Sequence, residues 1–290
     1  MEKAEHLRKI LGEGKIVRIV GAHDGMGAKL VEQAGFDGVW ASGCEIATSY
    51  ALPDASILSM PDFLHRAKII NDATNLPVIA DCDTGYGNAM NAMHMAREYE
   101  SAGIAGVCIE DKKFPKTNSL LEGGRQELAS IEEFALKVRA CKDVQRTGDF
   151  MVFARVEALI AGWGMEEASK RAHAYADAGA DGIFIHSKAK TPGEVLEFVK
   201  KWDGNAPILL CPTKYPSLTF DDIKKTGKVR IVIYANQGMR AQIKATKEVL
   251  SKIHVCGTTA PIEDDIATMD EIFALQGMKE FKDNEKGYIM

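Results

Sequence analysis

The sequence predicts an α/β fold in which eight parallel strands and their helices close into a TIM-type (β/α)8 barrel. Three observations carry that expectation. Eight short apolar runs alternate with stretches of helical periodicity along the 290 residues. The runs are nearly continuously apolar, the pattern of parallel strands covered on both faces. A helix-stop, short-turn, strand-start unit recurs as Ala34-Gly35-Phe36-Asp37-Gly38-Val39, Ala102-Gly103-Ile104-Ala105-Gly106-Val107 and Ala178-Gly179-Ala180-Asp181-Gly182-Ile183. Its first glycine suits the position just past a helix, where φ is usually positive, and its second opens a strand. The uneven spacing argues against a solenoid. Eight units fit a closed barrel better than an open doubly wound sheet.

In chain order, strands are expected over 16–21, 38–41, 77–81, 106–110, 151–156, 182–186, 207–211 and 229–234. Helical patterns fill 25–33, 61–73, 89–101, 131–142, 166–177, 192–201, 220–225 and 239–255. The alternation stops there, so the barrel is expected over 1–256 and a helical extension over 257–290. One more amphipathic helix is expected at 264–275, with Ile266, Met269, Ile272 and Phe273 on one face. Packing on its own barrel and packing on another subunit would both cover that face.

The bulk numbers narrow the function. A 46% apolar share supports a sizeable core, and 27% charged residues are typical of a soluble domain. A net charge of −5, with no basic tract, argues against nucleic acid. No apolar stretch approaches the ~20 residues that cross a bilayer. The N-terminus lacks a secretory apolar core, so a cytoplasmic location is the default. The six cysteines form no CxxC pair. They read as reduced thiols, four of them in or just beyond strands.

Candidate chemistry collects at the run ends: Ser42, Asp81, Glu110, Arg155, His186 and Asn236. In a parallel barrel these ends converge on one mouth. Asp81 and Asp83 are two apart, so an extended strand end would point both the same way. Carboxylates held close need a proton or a cation, and oxygen-only ligands favour magnesium, with manganese possible, over zinc. Glu110 at the next strand end adds a third. Residues 112–126 lack periodicity and hold Lys112, Lys113, Lys116, Asn118, Ser119 and Arg125. A loop of that length in a barrel reads as a lid suited to an anionic substrate. Arg155 lies inside an apolar strand and needs a carboxylate partner, Glu157 or an anionic ligand. Gly43 and Cys44 could offer backbone N–H groups as an oxyanion hole, with a plain turn as the alternative.

Taken together, these strings resemble the phosphoenolpyruvate mutase/isocitrate lyase superfamily. The likeness rests on Trp40-Ala41-Ser42-Gly43, Asp81-Cys82-Asp83-Thr84-Gly85-Tyr86-Gly87-Asn88, Ile109-Glu110-Asp111-Lys112, Phe114-Pro115-Lys116-Thr117-Asn118-Ser119, Ala154-Arg155-Val156-Glu157-Ala158 and Ile185-His186-Ser187. It implies a barrel that dimerises by swapping its last helix and assembles as a tetramer, a dimer of such dimers. It also implies a small anionic substrate and a Mg2+ (or Mn2+) ion on Asp81, Asp83 and Glu110. Trp40, Ser42, Gly43, Cys44, Asp81, Asn118, Ser119, Arg155 and His186 would bind the substrate. Asp54, Lys116, Asn118, Arg155 and His186 would serve catalysis, Asp54 in one reading as a nucleophile.

The activity implied is reversible phosphoryl transfer between phosphoenolpyruvate and phosphonopyruvate. Hydrolysis of phosphonopyruvate, or carbon–carbon cleavage of a 2-hydroxy dicarboxylate, are the alternatives. The cleaving members carry Lys-Lys-Cys-Gly-His on the lid, and this chain has no cysteine between Cys108 and Cys141. The string Lys-Thr-Asn-Ser at 116–119 is that of the phosphoryl-transferring members, and the hydrolysing ones replace its asparagine with threonine.

Overall fold

The computed structural model describes residues 2–288. Eight parallel strands close into a ring in chain order: β1 (Val17–Ala22), β2 (Gly38–Ala41), β3 (Val78–Asp81), β4 (Gly106–Glu110), β5 (Met151–Val156), β6 (Gly182–Ile185), β7 (Ile208–Leu210) and β8 (Val229–Tyr234). β8 pairs with β1, Val17 opposite Ile231 and Val20 opposite Tyr234, so no strand edge is left open. The ring is the TIM-type barrel expected from the alternation.

The repeated glycines act as the sequence implied, with one addition. Gly35, Gly103 and Gly179 have φ of +76°, +77° and +101° and end their helices in the left-handed region. The second glycine of each unit is also needed for room. A Cβ at Gly38 would lie 2.8 Å from Ile19 Cγ2, and one at Gly106 would lie 2.9 Å from the Met151 carbonyl. Glycine there lets the neighbouring strand approach.

The core has two layers. Inside the barrel, Val17, Ile19, Ile79, Phe153, Leu209 and Ile231 pack together. Between strands and helices lies a larger layer that includes Val39, Ile70, Val107, Phe134, Ile183 and Phe198. A helix absent from the sequence expectations, Lys3–Gly12, contributes Leu7 to the inner layer. Arg8 of that helix donates to the Phe150 carbonyl at 3.2 Å and to Asp181 at 3.0 Å. Ala4, Leu7, Ile10 and Leu11 form its apolar stripe on the inner layer, a short helical pattern before the first strand that the sequence reading passed over.

Two short helices follow strands: Gly43–Ser49 after β2, where a plain turn was the alternative, and Ala158–Ala161 after β5, which was not expected. The helix expected at 264–275 is corrected. Residues Ala260–Asp265 form a 3-10 turn, Ile266 is extended, and the helix is Met269–Gln276. A capping box sets its start: the Thr268 side chain accepts from the Glu271 N–H, and Glu271 accepts from the Thr268 N–H.

By compactness the chain divides into two units, one through Gln237 and one from Gly238. In the second, Lys252 pairs with Asp265 at 2.9 Å. Leu250, Val255, Met269 and Phe281 of this unit are more than half exposed. Among the described residues no helix is long and apolar enough to cross a membrane.

Candidate active site

The strand ends deliver the charged run-ends to one mouth. Ser42 follows β2, Asp81 ends β3, Glu110 ends β4, Arg155 lies near the end of β5, His186 follows β6, and Asn236 stands two residues past β8. All of these except Glu110 line one cavity of about 60 Å3. Glu110 is buried beside it, with Oε2 3.4 Å from Arg155 Nε. Trp40 and Cys44 complete the wall on the β2 side, and Asp54, Lys116, Asn118 and Ser119 close it from the loops.

Gly43 explains how Asp81 and Asp83 meet. A Cβ on Gly43 would stand 3.2 Å from Asp81 Oδ2 and 3.6 Å from Asp83 Oδ1. The two carboxylates therefore share one small volume, but strand alternation is not the cause. β3 ends at Asp81, and Asp83 turns back with φ +48°. The following backbone anchors the turn: Glu110 N–H donates to the Asp83 carbonyl at 2.7 Å.

The site as a whole is over-supplied with carboxyl groups. Over both walls, Asp54, Asp81, Asp83, Glu110 and Glu157 stand against Lys112, Lys116 and Arg155, which would leave two negative charges uncompensated with all five ionised and His186 neutral. Burial pushes Asp81 up to about 6 and Asp83 up to about 7, and Arg155 and Lys116 only partly offset it. Asp83 Oδ1 and Glu110 Oε1 are buried without a hydrogen bond. Lys116 Nζ lies 3.0 Å from that Asp83 oxygen, but not along a hydrogen-bond direction. Excess buried carboxylate with orphaned oxygens fits a hard divalent cation. Among the described residues, no three His, Cys, Asp or Glu side chains are grouped to enclose one directly. Magnesium usually keeps several waters and takes one or two carboxylates, so the donor set fits that mode.

The opposite wall is cationic and organised by Glu157, which is wholly buried. Arg155 Nε bonds Glu157 Oε1, His186 Nδ1 lies 2.8 Å from the same oxygen, and Ser119 Oγ donates to Oε2 at 2.6 Å. Burial works against its ionisation, but Arg155 and His186 hold its carboxyl well below the usual range. Burial and the Arg155 charge lower His186, which is neutral at pH 7. Phe184 lies beneath both, 5.1 Å from the Arg155 guanidinium and 5.5 Å from the His186 ring.

The loop 112–126 closes the cavity. Asn118 Nδ2 donates to Asp54 Oδ2 at 2.6 Å, and Lys116 Nζ bonds Asp54 Oδ1. Burial opposes both charges, yet each stabilises the other: Asp54 is lowered and Lys116 raised well above the ordinary lysine value. Lys112 departs from the sequence reading. It is 1% exposed and lies beneath the lid without lining the cavity. Its Nζ donates to Ser119 Oγ at 2.6 Å and to the Thr117 carbonyl at 2.9 Å.

Ser42 caps the helix Gly43–Ser49, its Oγ accepting from the Glu45 N–H at 3.3 Å. That leaves the Gly43 and Cys44 N–H groups, in the first turn, without an intrahelical acceptor. Burial pushes the Cys44 thiol up to about 11, so it is no thiolate at neutral pH. The sequence reading gave Glu157 only as a structural partner for Arg155 and did not single out Thr213, which lines the cavity. The Arg-x-Glu spacing at the end of β5, with Glu157 just past the strand, was the available signal for the first; nothing marked the second.

A closed (β/α)8 barrel with an acidic, cation-ready corner facing an Arg/His wall defines an enzyme for small anions. The comparisons agree. Residues 7–254 match the family model described as phosphoenolpyruvate phosphomutase, and the chain belongs to that family. It is 46% identical over 289 residues, all of both chains, to the phosphonopyruvate hydrolase of Variovorax sp. (strain Pal2). It is 44% identical over 287 residues to the phosphoenolpyruvate phosphomutase of Tetrahymena pyriformis, covering 99% of this chain and 95% of that one. The crystal structure of the phosphoenolpyruvate phosphomutase from Streptomyces platensis subsp. rosaceus superposes with a TM-score of 0.97 at 50% identity, covering 99% of each chain. A phosphonopyruvate hydrolase solved with oxalate and Mg++ gives 0.95 at 44% identity over both whole chains. The protein is thus an enzyme of the phosphoenolpyruvate mutase/isocitrate lyase superfamily, related at similar distance to mutases and to a hydrolase.

Proposed function

We propose that this enzyme interconverts phosphoenolpyruvate and phosphonopyruvate by moving a phosphoryl group between the oxygen and the carbon of one pyruvate enolate. The observation that carries the reading is Asn118: it sits on the lid, lines the cavity and bonds Asp54, where the hydrolysing relatives are expected to carry threonine.

A divalent cation on Asp81, with Asp83 and Glu110 bound directly or through water, would supply Lewis-acid stabilisation for the pyruvyl carboxylate and enolate oxygens. Magnesium is the proposed ion, in keeping with the Mg++ in the related hydrolase, and manganese would serve. The Gly43 and Cys44 amides share the enolate charge, Ser42 holds the carboxylate, and Trp40 walls the pyruvyl end. Arg155, His186 and Asn118 hold the phosphoryl oxygens, with Ser119 bridging Arg155 to the lid. A loose phosphoryl-transfer transition state needs mainly positioning and charge. The phosphoryl group stays fixed while the enolate turns its other nucleophilic atom toward it. Asp54 is held ionised and is chemically able to accept the group, but Lys116 and Asn118 engage both its oxygens. The closed lid keeps water from capturing the group.

Hydrolysis of phosphonopyruvate is the second reading, supported by the full-length 46% identity to a hydrolase. Enzymatic assay for phosphoenolpyruvate and pyruvate after incubation with phosphonopyruvate and Mg2+ separates the two. Phosphoenolpyruvate supports transfer; pyruvate alone supports hydrolysis.

The C-terminal helical extension, 257–290, is proposed to pack on a partner subunit. The exposed apolar side chains of Met269, Phe273 and Phe281 support this. Swapped dimers would pair into a tetramer.

A further inference from the structure

The cationic wall depends on an anion that does not line the cavity. Glu157 is 0% exposed, and each of its oxygens serves two partners. Oε1 meets Arg155 Nε and His186 Nδ1; Oε2 accepts from Ser119 and lies 3.4 Å from Lys112 Nζ. Ser119 is equally committed. Its hydroxyl accepts from Lys112 and from Arg155 Nη2 at 2.9 Å while donating to Glu157. Behind Glu157 lies a second buried anion. Asp111, also 0% exposed, accepts the Glu157 backbone N–H on Oδ1 at 2.9 Å. Its Oδ2 accepts from Arg171 Nη1 at 2.9 Å and from the Tyr175 hydroxyl at 2.8 Å. Arg171 is held in turn by Glu167 and by the Ala129 carbonyl. Two buried, fully bonded carboxylates in series are costly unless they fix a geometry.

One contact is decided by this chain of bonds. His186 Nδ1 lies 2.8 Å from Glu157 Oε1 and 2.7 Å from Arg155 Nη2. A carboxylate requires a proton on Nδ1; a guanidinium requires a bare nitrogen. Arg155 Nη2 carries two hydrogens, one on Ser119 Oγ and one toward Nδ1, so the guanidinium alone does not choose; a bare Nδ1 would set its lone pair against the Glu157 carboxylate 2.8 Å away, and that repulsion between two acceptors places the proton on Nδ1.

We propose that Glu157 is the positioning residue of the phosphoryl-binding wall: it holds the Arg155 fork and the lid's Ser119 and keeps the His186 proton on Nδ1, and Asp111 with Arg171 and Tyr175 fixes it from behind. In this tautomer Nε2 is an acceptor. A phosphoryl group that arrives with one proton gives it to Nε2, which leaves an imidazolium beside the now fully ionised group. This rests on the phosphoryl-transfer reading, but its test does not.

The tautomer is read in substrate-free enzyme from nitrogen-15 histidine ring spectra, with the His186 signals assigned by their loss in His186→Asn. Expected is a neutral ring with Nδ1 protonated, and loss of that single tautomer in Glu157→Gln. A wild-type ring protonated on Nε2 would show that Arg155, not Glu157, sets it and would overturn the proposal. Kinetics add a second readout. Glu157→Gln is expected to lower kcat by roughly 100-fold with KM changed far less, as for the loss of an orienting partner behind a ligand. Should that variant fold poorly, Tyr175→Phe removes one donor to Asp111 without altering charge. It is expected to lower kcat by roughly 10-fold and to broaden or mix the His186 tautomer signals. Tyr175→Phe with unchanged kcat and unchanged ring signals contradicts the role given to the support.

Discussion

Asn118 and Asp81 carry the chemistry that can be tested one residue at a time. Asn118→Thr shortens the donor that reaches Asp54 and removes its N–H. It is expected to lower phosphoenolpyruvate formation by roughly 10- to 100-fold and to raise phosphate release, a change of about 1.4–2.8 kcal/mol in the barrier. Product analysis with unchanged transfer would remove the lid residue from the account. Asp81→Ala is expected to abolish metal-dependent turnover; full activity in excess chelator would take the cation out altogether. The pH dependence follows from the raised carboxyls. Asp81 and Asp83 titrate at about 6 and about 7 in the metal-free protein, above their unfolded value. The native state therefore binds more protons, and metal-free stability falls as pH rises from about 4 toward 7. A cation must displace those protons, so its affinity is expected to weaken as pH drops through 7 to 6; calorimetric titration at both values checks it. Asp81 was legible because it ends an apolar run, as Glu110, Arg155 and His186 do, whereas Asn118 was legible only through the lid string that contains it. The service role of Lys112 was not, since a lysine in an aperiodic loop gives no sign of burial.

At the level of elements, strand positions were the most readable feature, because the apolar runs are too short for helices and three of them, β2, β4 and β6, open on a glycine. The helix Gly43–Ser49 was not read, although Ser42 with Glu45 three residues on is an N-cap signature. Its seven residues are too few to establish a period. Close packing between the ends of β1 and β8 gives a stability test. A Cβ on Gly21 would lie 2.0 Å from the Ala235 carbonyl oxygen and 2.7 Å from Glu45 Oε1. Gly21→Ala is expected to cost about 3 kcal/mol through forced backbone movement, visible as a lower denaturation midpoint. An unchanged midpoint would mean that the strand ends yield more easily than their spacing implies.

For the whole molecule, the sequence showed the barrel because its topology follows from local alternation, each parallel strand needing a crossover helix. It could not show which surfaces the C-terminal helices cover, since an apolar helix face is the same signal whether it meets its own subunit or another. The proposed assembly is testable directly. Phe273, at 41% exposure, lies on the helix proposed to cross between subunits. Phe273→Glu is expected to shift light-scattering mass from tetramer toward monomer, while a monomeric wild type would exclude the swap. The central claim is that one closed cavity passes a phosphoryl group between two atoms of a single pyruvate and keeps water out. Phosphorus NMR of phosphonopyruvate turnover with Mg2+ in oxygen-18 water measures this. The account expects a phosphoenolpyruvate resonance without isotope shift and little inorganic phosphate; inorganic phosphate bearing solvent oxygen as the main product would contradict it.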